Sequence, residues 1–405
     1  MIRRRPMLAL LAAETISKLG SQMSGLALPW FVLLETGSAT LMGVVFAVEL
    51  LPIAIFGIPS GQIIAKLGPR RTMLIADFAR APLIALVPGL HALGVLTFPL
   101  LLLIVALHGT FSVTYFTSQR LLLPEVAGED ERSVAQGNAL IEGATNLTSF
   151  LGPALAGVLI ALIGATNVLW LDAGSFASSF LLVATLVPSR GTTAAEAPAH
   201  GVWAGVRYVL ADRLVGRSAL SSMMYGFALR ILFASLPVLA FVRFDRNPLV
   251  AGSLTAVWGA GAVTGSLLAY PLVTRLQPMR LGAGACVLLA VALWLLVPEL
   301  PIVAAGIALF VASGAIPLMN APYLTLLSTR VPGPLRGPVL QSIITINNVA
   351  GPLGYVVAGP LFDGLGLHAA YWLVAVLATL ASANFVTAVS AAGMLRRVAA
   401  PEAAS

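Results

Sequence analysis

A few ionisable residues stand inside long apolar stretches of this sequence, and they are the residues most able to do chemistry. Glu14, Glu49 and Arg230 are each flanked by mostly hydrophobic residues. Lys18 follows Glu14 by four residues, so the two could form an ion pair on one helix. The alternative is a Glu14 carboxyl that gains and loses a proton as its surroundings change. Arg230 needs a counter-charge, which either glutamate could supply.

A polar stripe offers a second set of candidates. His108, Ser112, Tyr115 and Gln119 recur at spacings of four, three and four, so they share one side of a helix. The stripe could hydrogen-bond to a neighbouring helix, or it could line a cavity in which His108 binds a substrate or relays a proton. Aromatic and polar residues elsewhere could also face such a cavity or, equally, face lipid, and the candidates are Trp30, Phe46, Ser112, Tyr115, Tyr225, Trp258, Asn320 and Tyr323.

Several kinds of chemistry find no support in the sequence. The four histidines, His91, His108, His200 and His368, are scattered without the spacing of a metal site. No G-x-x-x-x-G-K-[ST] loop is present, which argues against an ATP-driven pump. The single cysteine, Cys286, cannot form a disulfide within the chain. We therefore expect no metal, no cofactor and no enzymatic activity, although a membrane enzyme or sensor remains the alternative class.

Composition identifies the elements that must position these residues. Of the 405 residues, 59% are hydrophobic and 10% are charged, and the stretch between Arg246 and Arg275 contains 28 consecutive residues without Asp, Glu, Lys or Arg. About 20 mostly apolar residues suffice for a helix to cross a bilayer. The sequence predicts an all-α membrane protein with twelve spans, near 7–33, 41–64, 73–91, 97–118, 135–161, 166–187, 218–242, 248–272, 279–297, 302–327, 338–361 and 369–392.

The distribution of basic residues predicts the topology. With both termini in the cytoplasm, the 23 Lys and Arg residues divide into 18 cytoplasmic, 2 external and 3 within spans, as the positive-inside rule requires. The basic amino terminus resembles a signal peptide, but Glu14 and Lys18 interrupt its apolar stretch, so we expect a retained first helix. The net charge of +7 suits loops that face anionic lipid headgroups, and nucleic-acid binding is not required to explain it.

The chain is also duplicated. An offset of 209 positions places Leu41-Met42-Gly43 on Val250-Ala251-Gly252, and KLGPRR at 66–71 on RLQPMR at 275–280. A linker-like stretch begins PSRGTTAAEAPAHG and continues into GVWAGVRYVLADR, which could form a short amphipathic helix on the membrane surface. We predict two pseudo-symmetric six-helix bundles, 1–187 and 218–405, joined by a cytoplasmic linker over 188–217.

The charged turn SGQIIAKLGPRRT between the second and third spans, within this duplicated arrangement, resembles the signature loop of the major facilitator superfamily. The wider stretch from ALPWF to ADFARA, together with WLDAGSF, GVRYVLADR and RVPGPLRGPV, is similar to the drug-efflux branch that contains macrolide, tetracycline-type and enterobactin exporters. The resemblance implies a monomeric secondary transporter in a bacterial cytoplasmic membrane, which exports amphipathic drugs in exchange for protons. Export of an endogenous siderophore, natural product or lysolipid is the alternative.

The resemblance also implies a gating role for the signature loop. The residues concerned are Gly61, Lys66, Gly68, Arg70 and Arg71. Members of the family usually carry an aspartate here that fixes a loop arginine, but this chain has Ala65. Asp77 and Arg80, one turn apart in the third span, are a possible substitute for that latch.

Overall fold

The computed structural model describes residues 4–56, 60–127, 131–188 and 202–393. Within these ranges the chain is helical throughout, with short connections and no strand. The helices are α1 (Arg4–Thr36), α2 (Ala39–Phe56), α3 (Ser60–Leu67), α4 (Pro69–Ala92), α5 (Phe98–Ala127), α6 (Glu131–Ile163), α7 (Ala165–Leu186), α8 (Val202–Ala211), α9 (Arg213–Arg243), α10 (Pro248–Arg275), α11 (Pro278–Trp294), α12 (Ile302–Arg330) and α13 (Gly333–Ala391).

The predicted fold class is confirmed. Among the described residues, nine helices are long and apolar enough to cross a membrane, and α11 is a shorter apolar helix. Helix α13, with 59 residues, covers the eleventh and twelfth predicted spans. The two spans are separated at Gly366, whose φ of 79° is not helical and where the chain changes direction. Helix α1 covers the predicted first span. Large apolar side chains such as Leu162 and Leu267, each more than 70% exposed, suit a surface in contact with lipid.

Proline and glycine mark the boundaries of the helices. Pro69 and Pro278 lie in the first turn of α4 and α11, where a missing backbone N–H costs nothing. Gly68 separates α3 from α4 with a φ of 84°, a conformation that residues with a Cβ rarely adopt. The glycine and proline of the signature loop therefore build a sharp turn between two helices.

The chain divides into two compact units that do not follow the sequence halves. The first consists of Met1–Ala197, Arg230–Gly259 and Gly351–Ala370. In it α1 packs against α6 and α7, and α4 packs against α5 and α7. Parts of α9, α10 and α13 join these helices, and α10 approaches α6 so closely that a Cβ built on Gly157 would lie 2.9 Å from the Pro248 carbonyl oxygen.

The second unit consists of Pro198–Leu229, Ala260–Ala350 and Tyr371–Ser405. Its helices include α8, α11 and α12, and α11 packs along α12. Helix α8 is the short helix expected at the end of the linker, and its Tyr208 hydroxyl donates to the Arg330 carbonyl oxygen at 3.2 Å. Linker residues 189–201 lie outside the described residues. The domain boundaries at 187 and 218 therefore stay predictions.

Candidate functional site

The buried charged side chains are concentrated in one part of the sequence. Among the described residues, the charged side chains classed as buried are Glu14, Asp77, Arg80 and Asp172, and all of them lie before residue 188. They belong to α1, α4 and α7, three helices that pack together in the first unit. Burial of charge is costly unless it is paired or hydrated, so this cluster is the strongest candidate site.

Glu14 lies in the first half of α1 with 1% of its surface exposed. Neither carboxylate oxygen makes a hydrogen bond of normal geometry, although the Tyr115 hydroxyl interacts with the carboxyl, and the Lys18 ammonium lies 3.9 Å from Oε1. Lys18 also donates to Thr145 Oγ1 at 3.1 Å. The predicted ion pair along one helix is therefore present but loose. It leaves the Glu14 carboxyl free to accept a proton.

Asp77 and Arg80 form a tight ion pair on α4. Asp77 also accepts a hydrogen bond from Ser179 Oγ at 2.7 Å, which ties α4 to α7. The Arg80 guanidinium lies 4.0 Å from the ring centre of Tyr115 and 4.3 Å from that of Phe176. Aromatic faces stabilise a desolvated cation. This pair holds three helices together by charge, hydrogen bonding and stacking.

Glu49, His108 and Asp172 line a common cavity of about 20 Å³ between α1, α2, α4, α5 and α7. Ser21 and Ser24 contribute hydroxyl groups to the same cavity. Asp172 accepts a hydrogen bond from Ser175 at Oδ1, whereas its Oδ2 makes no hydrogen bond of normal geometry. His108 Nε2 and Ser24 Oγ are also buried without one. The structure thus joins two coupling candidates, Glu49 and His108, with Asp172.

Arg230 lies apart from these acidic groups. No carboxylate of a described residue is within ion-pair distance of it, so neither Glu14 nor Glu49 supplies the expected counter-charge directly. Its guanidinium instead lies 5.7 Å from the ring centre of Tyr355 on α13. Tyr355 stacks on Phe46 of α2 at 4.6 Å, nearly parallel. An aromatic pair therefore takes the place expected for a charge partner.

The substrate-cavity candidates separate into several locations. Trp30 is buried against Phe241, and Trp258 packs edge-on against Phe233. Ser112 donates to the backbone of its own helix, and Tyr115 lies 3.3 Å from Ser179. In the second unit, a cavity of about 20 Å³ is lined by residues that include Ser218, Tyr225, Asn320 and Tyr323.

The signature loop is anchored by Arg70. Its Nε donates to the Val187 carbonyl oxygen at 2.6 Å, and Nη2 donates to the Ala184 and Val183 carbonyl oxygens at 2.7 and 3.3 Å. These carbonyls lie at the carboxyl end of α7, where the helix dipole favours a cation. Lys66, Arg71 and Gly61 are exposed. Arg70 is thus held by backbone carbonyls where the family usually supplies an aspartate.

Sequence reasoning missed or underrated three residues. Asp172 lies only six residues into the predicted sixth span, yet it is fully buried and lines the same cavity as Glu49. Ser179 and Tyr355 carried no signal, because a lone hydroxyl or phenol in an apolar helix is common. The WLDAGSF segment did contain Asp172, and its burial at membrane depth was the available signal.

Comparison with known proteins identifies relatives over nearly the whole chain. Residues 10–355 match the family model described as Major Facilitator Superfamily. The multidrug efflux pump Tap of Mycolicibacterium fortuitum is 29% identical over 389 residues, covering 91% of this chain and 92% of that protein.

Solved structures share the fold. A variant of the nucleoside transporter NupG superposes with a TM-score of 0.77 at 12% identity, covering 94% of this chain and 99% of that one. A bacterial homologue of the iron transporter ferroportin, in an inward-facing state, gives a TM-score of 0.76 at 15% identity, with coverage of 96% and 100%.

Proposed function

The chain belongs to the major facilitator superfamily, and from this premise we propose that it exports amphipathic drugs or similar small molecules in exchange for protons. It acts by alternating access, as a monomer in the cytoplasmic membrane of a bacterium, with both termini in the cytoplasm. The similarity to the multidrug efflux pump Tap supports drugs as the cargo. The positive-inside distribution of Lys and Arg supports the orientation.

The observation that carries the proposal is the buried environment of the Glu14 carboxyl. That carboxyl is buried, makes no hydrogen bond of normal geometry and lies 3.9 Å from the Lys18 ammonium, while the Tyr115 hydroxyl and the Arg80 guanidinium also interact with it. Burial favours the neutral acid, and hydration favours the carboxylate. A change of exposure between two conformations therefore changes the protonation of Glu14. That difference is what a proton antiporter needs, since a ligand shifts a conformational equilibrium only by its differential affinity.

The other groups of the site have supporting roles. The Asp77 and Arg80 pair, bound to Ser179 and stacked on Tyr115, fixes α4 against α5 and α7 beside Glu14. These contacts keep the helices around Glu14 in place while its carboxyl gains or loses a proton. Arg230, next to the stacked Phe46 and Tyr355 rings, offers a cationic and aromatic surface for a partly apolar cargo.

The experiment is transport in proteoliposomes under an imposed proton gradient, with ethidium and erythromycin as probes. We expect gradient-driven movement of a probe by the wild type and its loss in Glu14→Gln. Glu142→Gln is the matched control, because Glu142 is an exposed carboxylate on α6. Unchanged gradient-driven movement in Glu14→Gln would remove the coupling assignment.

The same assay tests the cargo. If the wild type moves neither probe while its proton permeability responds to a siderophore or a lysolipid, the cargo is endogenous and the drug assignment is wrong. If a probe moves equally well with and without the gradient, the protein is a facilitator and not an antiporter.

A further inference from the structure

The cavity lined by Glu49, His108 and Asp172 contains polar atoms that the protein itself leaves unsatisfied. Asp172 Oδ2, His108 Nε2 and Ser24 Oγ are all buried, and none makes a hydrogen bond of normal geometry, although the Ser24 hydroxyl interacts with the Asp172 carboxyl. An unpaired buried polar atom costs about 1 to 3 kcal/mol, so three around one cavity indicate a ligand that bonds to them.

The size of the cavity restricts that ligand. Its volume is about 20 Å³, whereas a cavity needs roughly 10 to 15 Å³ to hold one water molecule, which requires two to four polar partners. The three unpaired atoms meet that requirement. Among the described residues, no cluster of His, Cys, Asp and Glu has the geometry of a metal site. The ligand is therefore the size of a single water molecule.

The charges around the cavity further restrict the identity of the ligand. Two carboxyl groups, Glu49 and Asp172, line the cavity, and no lysine or arginine does. Arg80 and Asp77 of α4 act on Asp172 and are already paired with each other. Arg230 of α9 acts, like Glu49, on Tyr355. Lys18 and Glu14 lie on α1, one turn or more before Ser21 and Ser24. Two ionised carboxylates at one buried cavity repel each other, so the pair is stabilised when it binds one positive charge.

A second cavity lies close to the first. It has a volume of about 90 Å³ and is lined by Phe31, Leu101 and the partly exposed Glu35 and His91, among others. On α1, Leu28 of the first cavity precedes Phe31 of the second cavity by three residues. On α5, Ile104 of the first cavity follows Leu101 of the second cavity by three residues, about one helical turn. The two cavities are therefore about one helical turn apart along both helices.

We propose that the cavity between Glu49, His108 and Asp172 is a proton-binding site in its own right, in which the two carboxyl groups share one proton through a bound water. It is distinct from Glu14, which does not line it. His108 Nε2 and Ser24 Oγ complete the hydrogen bonds of that water. The inference rests on the proposed function only in identifying the bound proton with the coupling ion.

Infrared difference spectroscopy of the purified, full-length protein during a pH titration measures this site without substrate and without a gradient. The measurement is made in the Glu14→Gln background, which removes the other buried acid assigned to proton binding. There we expect a carbonyl band from a protonated carboxyl, and we expect the further Glu49→Gln/Asp172→Asn change to abolish it. In each single variant of this background the remaining band titrates at a pH lower by about one unit or more, because the second carboxylate is gone. Glu142→Gln is the control and should leave the band unchanged.

Three outcomes would overturn the proposal. The band could persist in the double variant, both single variants could keep the midpoint of the Glu14→Gln protein, or sodium at constant pH could displace the band, in which case the ligand is sodium. If the double variant fails to fold, Ser24→Ala provides the test, since it removes a hydroxyl from the cavity and should shift the midpoint while retaining both carboxyl groups. Transport that fails in Glu14→Gln with the band intact separates the proposed function from this site.

Discussion

The side chain of Asp363 provides the most direct test of how this transporter closes. Asp363 belongs to α13, in the connection between the eleventh and twelfth predicted spans, and it caps the amino terminus of α2. Its Oδ2 accepts from Ser38 Oγ at 3.0 Å, Thr40 N at 2.9 Å and Thr40 Oγ1 at 2.6 Å, and its Oδ1 accepts from Ala39 N at 3.1 Å. One carboxylate thus joins the two sequence halves on the side that we expect to face outward.

The magnitude follows from these four hydrogen bonds. Loss of an N-terminal cap costs about 0.5 to 2 kcal/mol, and loss of a negative charge at a helix amino terminus costs about 0.3 to 1 kcal/mol more. Under the alternating access proposed above, the cap must break when the outer side opens. Asp363→Asn keeps one acceptor oxygen but removes the charge and the second acceptor, so it should shift the equilibrium toward the outward-open state by about 1 kcal/mol, roughly 5-fold.

Pulsed electron paramagnetic resonance measures this shift as a distance between two spin labels. Leu365 is exposed on the same connection as Asp363, Val95 is exposed on the α4–α5 connection, and buried Cys286 should remain unlabelled. We expect a longer distance to gain population in Asp363→Asn. Asp245→Asn is the matched control, since it removes an exposed carboxylate from the α9–α10 connection. Identical distance distributions in the two variants would refute the reasoning.

Three further predictions concern stability. Arg70→Ala should lower the thermal midpoint in detergent by the equivalent of about 1.5 to 3 kcal/mol, since it removes charged hydrogen bonds to the end of α7, whereas exposed Arg71→Ala should not. Gly252→Ala should also lower it, because a Cβ there would lie 2.6 Å from a carbonyl oxygen of α6, and an unchanged midpoint would contradict the close approach. The pKa of Asp212 is lowered in the folded protein: burial alone would raise it, but hydrogen bonds from the α9 backbone and from Arg330 lower it by more. Asp212 therefore stabilises the fold at pH values above its pKa in the unfolded chain, and this stabilisation is lost as the pH falls through its pKa in the folded protein. Arg330→Gln should reduce this acid sensitivity by about 0.5 kcal/mol, measured as the thermal midpoint between pH 7 and pH 3, and an equal slope in both proteins would contradict it.

The sequence determined the membrane environment, the helical fold class and the family. Runs of apolar residues as long as that between Arg246 and Arg275 have few stable alternatives to a helix in lipid. The positions of Lys and Arg, the 209-residue offset and the signature loop are likewise linear patterns. Glu14 and Glu49 were visible as candidates because an ionisable residue at membrane depth stands out against its neighbours in the chain.

The tertiary structure decided which of these candidates act together. Glu49, His108 and Asp172 come from three helices that are far apart in the sequence, and only packing places them around one cavity. The offset of 209 relates Asp77 to Cys286, so the second half carries a neutral thiol where the first carries a charge. Helical periodicity gives the face on which a residue lies, but not the neighbour that the face meets. Those contacts depend on close packing between helices, which the order of residues along one helix does not specify.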